Sequence, residues 1–238
     1  MPDAIVFGVG ASAGLGGALC RRFAREGLSV LAAGRTKAKL DLVSDEIASE
    51  GGRSTSIECD VTREADVLRA FDAAGAPPKL VVYNAGNAMV RPLLEMDAAF
   101  FEEAWRVGCL GGFLVGREAA RRMVPAGGGT LLFTGATASL RARPPFTAFA
   151  SAKAALRALA GGLAREFGPQ NLHVGHVIVD GMIEGDQILT RFPGAKERVG
   201  ADGMLQPDAI ADAYWSLHAQ PRSAWTFELD LRPYKEGF

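Results

Sequence analysis

The chain has 238 residues, with 26 Lys and Arg against 27 Asp and Glu and a formal net charge of −1. That length fits one doubly wound domain with a continuous core, and the balanced charge offers no field for a nucleic acid backbone or an anionic membrane surface, so the expected partner is a small molecule. No apolar run reaches the roughly 18–20 residues a membrane span needs, and the opening Met-Pro-Asp carries no targeting pattern, so a cytoplasmic location is expected.

Ile5-Val6-Phe7 is long enough only for a buried strand, and it runs straight into Gly8, Gly10, Gly14 and Gly16 before helical periodicity begins. Strand, glycine turn and helix in this order form a phosphate-binding arrangement. Gly10 and Gly14 let the backbone turn and approach a ligand, Gly16 lets the helix lie close to the sheet, and the free amides of the helix start face an anion. An ordinary tight turn is the plainer alternative. The first helix, about Leu15–Glu26, buries Leu15, Leu19 and Phe23 and stops at Gly27; Leu28–Ala33 is a second buried strand. It ends in Gly34-Arg35-Thr36-Lys37, where a doubly wound fold meets an adenosine ribose. Arg35 favours a 2′-phosphate where an acid would repel one, although a solvated basic loop reads the same.

A helix follows from about Lys37 to Glu50, then a strand Ser54–Cys59, the pair Asp60-Val61, and a helix Arg63–Ala74 broken by Pro77-Pro78. Leu80–Tyr83 is a fourth buried strand leading into Asn84-Ala85-Gly86. Asp97 is placed to cap a long helix reaching about Met123, whose Gly108, Gly111, Gly112 and Gly116 point to close backbone contact or a bend. Thr130–Thr134 is the fifth strand and Phe149–Gly168 the next helix, with Leu156, Leu159, Ala160, Leu163 and Phe167 as its buried stripe. His173–Val179 is a sixth strand delivering Asp180-Gly181-Met182-Ile183. The weakly periodic stretch 184–205 reads as a mobile substrate lid, Pro207–Leu217 as the last helix and Trp225–Leu231 as the last strand. Cys20, Cys59 and Cys109 lack metal-ligand spacing and read as small buried hydrophobes, with no metal site expected; the three histidines read as structural.

The two glycine signatures, Gly10-x-x-x-Gly14-x-Gly16 and Asn84-Ala85-Gly86 after buried strands, resemble the short-chain dehydrogenase/reductase family over essentially the whole chain, although Val9 stands where the family usually has Thr. The resemblance implies one Rossmann-type α/β domain, a doubly wound parallel sheet with helices on both faces, that binds a nicotinamide dinucleotide. The contacts it implies fall on Gly10, Ser12, Gly14, Leu15, Gly16, Arg35, Asp60, Val61, Asn84, Ala85, Gly86, Lys153, Gly181 and Ile183. In this reading Asp60 accepts from the adenine amino group, while capping of the next helix is its alternative. Arg35 makes NADP the expected cofactor ahead of NAD, although Ala13 sits where NADP-using relatives often carry a second basic residue. The long glycine-bearing helix and the helix after the fifth strand imply a homodimer or homotetramer.

Against the family's catalytic Tyr-x-x-x-Lys, this chain reads Phe149-Ala150-Ser151-Ala152-Lys153. The usual interval back from Phe149 lands on Ala136 instead of Ser, with Thr137 and Ser139 as neighbours, and Gly108 stands in the expected Asn position. Lys153 is then the catalytic residue retained. Losing a general acid costs typically ~10²–10⁴ in rate, so ordinary alcohol–ketone interconversion should be slow. Two functions follow: an NADP(H)-dependent oxidoreductase with a different proton source, or an inactive NADP(H)-binding sensor or partner subunit.

Overall fold

The computed structural model describes residues 1–86, 88–185, 190 and 192–237. Seven strands form one parallel sheet in the order β3-β2-β1-β4-β5-β6-β7. They are β1 (Ala4–Phe7), β2 (Ser29–Gly34), β3 (Arg53–Glu58), β4 (Leu80–Tyr83), β5 (Gly129–Thr134), β6 (Leu172–Val179) and β7 (Glu228–Leu231). The helices are α1 (Leu15–Arg25), α2 (Lys37–Ser49), α3 (Glu64–Ala74), α4 (Ala98–Trp105), α5 (Gly111–Met123), α6 (Thr147–Phe167), α7 (Ala195–Val199) and α8 (Pro207–His218).

Alternation along the strands builds a core on each side of the sheet. Ile5, Phe7, Val81, Tyr83, Leu131 and Phe133 face α3, α5 and α6, whereas Val6, Val30, Leu80, Val82, Leu132 and Val177 face α1, α2 and α8. Every central strand is covered twice, which is why these segments are apolar runs and not alternating ones. The strand order reverses between β1 and β4, which pair in register from Ala4↔Leu80 to Phe7↔Tyr83. A crevice opens beyond the carboxyl ends of strands at such a reversal, and both glycine signatures lie there.

Several boundaries differ from the sequence reading for local reasons. The α3 helix ends at Ala74 as read from the sequence, but the stop is Gly75, with a left-handed φ of 68°, and not Pro77. The last strand is shorter than expected, Glu228–Leu231, and is preceded by a single 3₁₀ turn at Arg222–Ala224. Asp97 does cap a helix, its Oδ1 accepting from the Phe100 amide at 2.7 Å. The helical path to Met123 is nevertheless broken into α4 and α5 by a π-turn, Arg106–Leu110. The glycines explain the break: a Cβ at Gly108 would lie 2.5 Å from the Ala152 Cβ of α6, and one at Gly111 would lie 2.5 Å from the Tyr83 hydroxyl. Tyr83 donates that hydroxyl to the Val107 carbonyl within the π-turn. Cys20, Cys59 and Cys109 are all buried free thiols, as expected of small core residues.

Candidate active site

Beyond the ends of β1, β4, β5 and β6 lies a cavity of about 620 Å³. One end is walled by Gly10, Gly14, Leu15, Gly16, Asn84 and Gly86, with Glu184 next to Gly185, which lies against Ala13 and Gly14; the middle is walled by Lys153, Phe149, Ala136 and Thr137, and the far end by Arg141, Arg143, Phe146 and Met182. Gly181 and Ile183 lie on the same wall.

The glycine loop has the shape an anion requires. A Cβ at Gly16 would lie 2.9 Å from the Val9 Cα, so α1 can approach the strand only without one. A Cβ at Gly10, in contrast, would meet nothing within 4 Å and would project into open space at the cavity wall. The α1 N-cap, Gly14, makes no side-chain cap, and no acidic residue occupies the first turn, so the helix start carries its positive dipole end uncompensated. This cradle fits a diphosphate.

The Asn84 side chain ties strands together: its Nδ2 donates to the Gly8 carbonyl at 3.2 Å, and its Oδ1 accepts from the Thr134 hydroxyl at 3.1 Å. Next to it, a Cβ at Gly86 would come within 3.1 Å of the Lys153 Nζ. That amine is 3% exposed, donates to the Thr134 carbonyl at 2.7 Å and lies 5.8 Å from the Phe149 ring centroid, one helical turn away. Burial lowers its pKa from 10.5 to about 8, because the charged form has given up water for one carbonyl and the Phe149 ring below it. Ile183 pairs with Leu205 through the Met182 carbonyl and the Glu184 amide, so its own N–H and C=O are not spent on that bridge.

Five residues expected at the cofactor lie off this cavity wall: Ser12, Arg35, Asp60, Val61 and Ala85. Arg35 is exposed just past the end of β2. The Ser12 hydroxyl donates to Glu46 on α2 and accepts from Arg21 on α1 at 2.8 Å, an ion-paired trio that braces the loop from behind. Asp60 uses Oδ1 on the amide and hydroxyl of Thr62, at 3.0 and 2.8 Å, closing a turn ahead of α3. Val61 is buried against α5.

The hydroxyls that could replace the absent serine point elsewhere. Ser139 accepts from the Ala136 amide at 3.1 Å and lies 3.4 Å from the His176 Nε2, beneath the loop. His176 is fully enclosed, contacts Glu228 through Nδ1 at 3.0 Å, and is pushed down to about 4 by burial. Thr137 donates to Asp180, which is 0% exposed and also receives Arg141 and Arg232, each at 3.1 Å. This carboxylate joins the loop after β5, the end of β6 and the C-terminal segment. No apolar or charge pattern in the sequence announces it; only its placement before Gly181 does. The histidines hold structure: His173 stacks on Trp225 at 4.8 Å, and His218 contacts the Thr130 hydroxyl at 2.9 Å. Within the expected lid, residues 186–189 and 191 lie outside the described residues, as does Phe238 of the tail. Among the described residues no cluster could hold a metal ion, and no helix is long and apolar enough to cross a membrane.

Sheet order, crevice and glycine cradle together define a doubly wound dinucleotide-type fold. A family model described as short chain dehydrogenase matches residues 4–189, and the chain belongs to that family, whose members bind nicotinamide cofactors. A short-chain dehydrogenase from Rhodopseudomonas palustris is 39% identical, with a TM-score of 0.83 over 97% of this chain and 98% of that one. An alcohol dehydrogenase from the archaeon Thermococcus sibiricus, solved with 5-hydroxy-NADP, is 25% identical, with a TM-score of 0.82 over 99% and 98% of the two chains. The uncharacterized oxidoreductase YuxG of Bacillus subtilis is 34% identical over 211 residues, 86% of this chain; the chain spans 30% of YuxG's length.

Proposed function

We propose that this chain is a single-domain NADP(H)-dependent oxidoreductase whose catalytic set has been reduced to Lys153, and that it acts on substrates that need no tyrosine proton. The observation that carries the dinucleotide reading is the Gly10 side of the loop: open space where a side chain would be, facing an uncapped helix start. In this reading Gly10, Gly14, Leu15 and Gly16 hold the diphosphate and Ser12 stiffens the loop through Glu46 and Arg21. Asp60, Val61 and Ala85 border the adenosine half, Arg35 takes the 2′-phosphate, and Gly86, Gly181 and the amide of Ile183 seat the nicotinamide half. The bound cofactor supplies or accepts the hydride.

The chain's own residues then set which substrates react. Phe149 presents carbon where a phenol would donate, Ala136 offers no hydroxyl, and Gly108 is packed against Ala152 with no side chain to offer. Thr137 and Ser139 are engaged with Asp180, and with the Ala136 amide and His176. Lys153, with a pKa of about 8, is the group on this wall able to give up a proton near neutrality, and it also places a positive charge beside the reacting centre. Activated double bonds and imines suit such a site better than plain ketones. The outer faces of α5 and α6, where Phe113, Leu159, Leu163 and Phe167 line a shallow groove, support a homodimer or homotetramer.

NADPH and NADH titrations followed by cofactor oxidation across a ketone, enone and imine panel test this. Tighter binding of NADPH and turnover of enone or imine are expected. No affinity for either dinucleotide refutes the reading, and tight binding with no oxidation of NADPH by any class refutes the catalytic half of it.

A further inference from the structure

The far end of the cavity has a charge arrangement that the family chemistry does not require. Behind its wall the buried Asp180 is engaged by Thr137, Arg141 and Arg232, and Glu184, on the wall nearer the glycine loop, is engaged by Lys196 and, at 2.5 Å, by Gln206. Glu236, also on the wall, adds its field to that of Asp230 and Asp180 around Arg232. Arg143 lines the same end and, among the described residues, makes no ion pair. It is held on an anchored turn rather than a loose arm: the Phe146 amide donates to the Arg143 carbonyl at 2.8 Å, and the Arg91 amide donates to the Pro145 carbonyl at 3.3 Å. Two positions back, Arg141 spends one terminal nitrogen on Asp180 and keeps 30% of its side chain exposed. Phe146, Phe149 and Met182 give the same cavity apolar wall.

We propose that the substrate is an organic acid, an apolar or aromatic body with one carboxylate seated on Arg143 and flanked by Arg141. This rests on the functional reading above and adds the substrate's charge to it. A planar guanidinium on a fixed turn pairs with a carboxylate through two parallel N–H···O bonds, and apolar wall in the same cavity gives the rest of the molecule a reason to enter. The Asp180 cluster fixes the loop from below, so Arg143 is presented to the cavity while the buried acid itself stays neutralised.

The test is calorimetric titration of 2-naphthoate and its neutral counterpart 2-naphthamide into wild-type protein and Arg143→Gln, with and without saturating NADPH. Wild type should prefer the carboxylate by at least about tenfold, Arg143→Gln should lose that preference while keeping its affinity for the amide, and Arg143→Lys should retain part of it. Equal affinities for the two compounds, no measurable binding of either, or a preference that survives Arg143→Gln would overturn the proposal. A separate NADPH titration of wild type keeps the two failures apart: lost dinucleotide affinity counts against the functional reading, whereas lost charge discrimination with NADPH still bound counts against the anion subsite alone.

Discussion

Lys153→Met isolates the energetic consequence of burying an amine at the centre of the site. In the unfolded chain the amine holds its proton up to its ordinary value of 10.5, but in the folded protein only up to about 8. Between those pH values the unfolded state binds more protons, so stability rises with pH; below the lower value the folded protein carries the whole penalty, about 3 kcal/mol at 1.36 kcal/mol per unit. Methionine keeps the length of the stem and removes the charge, but it leaves the Thr134 carbonyl without its 2.7 Å donor, at a cost of about 1–2 kcal/mol. The variant should therefore be more stable than wild type by about 1–2 kcal/mol at pH 7, and by pH 9.5 wild type should have recovered about 2 kcal/mol of the difference. Urea midpoints of both proteins at pH 7.0 and 9.5 measure this directly. A variant less stable than wild type at pH 7, or a gap that does not shrink on raising the pH, would refute the reasoning.

Gly10→Ala places a Cβ where, its chain neighbours apart, no protein atom lies within 4 Å, so the melting temperature should stay within a few degrees while NADPH affinity falls at least about tenfold in a fluorescence titration. Arg35→Asp should lower the ratio of NADPH to NADH affinity by about 10–100-fold, read from the two binding curves. Phe149→Tyr with Ala136→Ser should raise NADPH-dependent reduction of aromatic ketones by about 10² or more; no gain in a folded, NADPH-binding variant would mean that the pocket has been rebuilt. Gly108→Asn does not belong in that set, because its Cβ would come within 2.5 Å of the Ala152 Cβ, and loss of soluble or thermally stable protein is the expected outcome.

The sheet and its crevice were legible because each buried strand is an apolar run followed by glycine, and such runs have few other uses. Lys153 and Phe149 were legible through the resemblance to the family's Tyr-x-x-x-Lys, whose four-residue spacing puts both on one helical face. What escaped were pairings between residues far apart in sequence. Ser12 carries no sign that Glu46, 34 positions on, will take its hydroxyl, and Thr137 carries none that Asp180 lies above it. The glycines of α5 announced close contact, but whether they would yield contact, a bend or both depended on Ala152 and Tyr83, which no periodicity in α5 encodes. The end of α3 at Ala74 was legible, although the stop is made by a glycine able to adopt positive φ and not by the prolines two residues further on.

The carboxylate of Asp180 has a mechanical consequence. Through it, Arg232 in the chain's last stretch is bolted to Thr137 and Arg141, whose loop carries Arg143 and leads into the helix bearing Phe149. A substitution near position 232 is therefore felt at the mouth of the cavity. Selection for a new substrate has a remote handle there, able to retune the pocket without touching a residue that lines it.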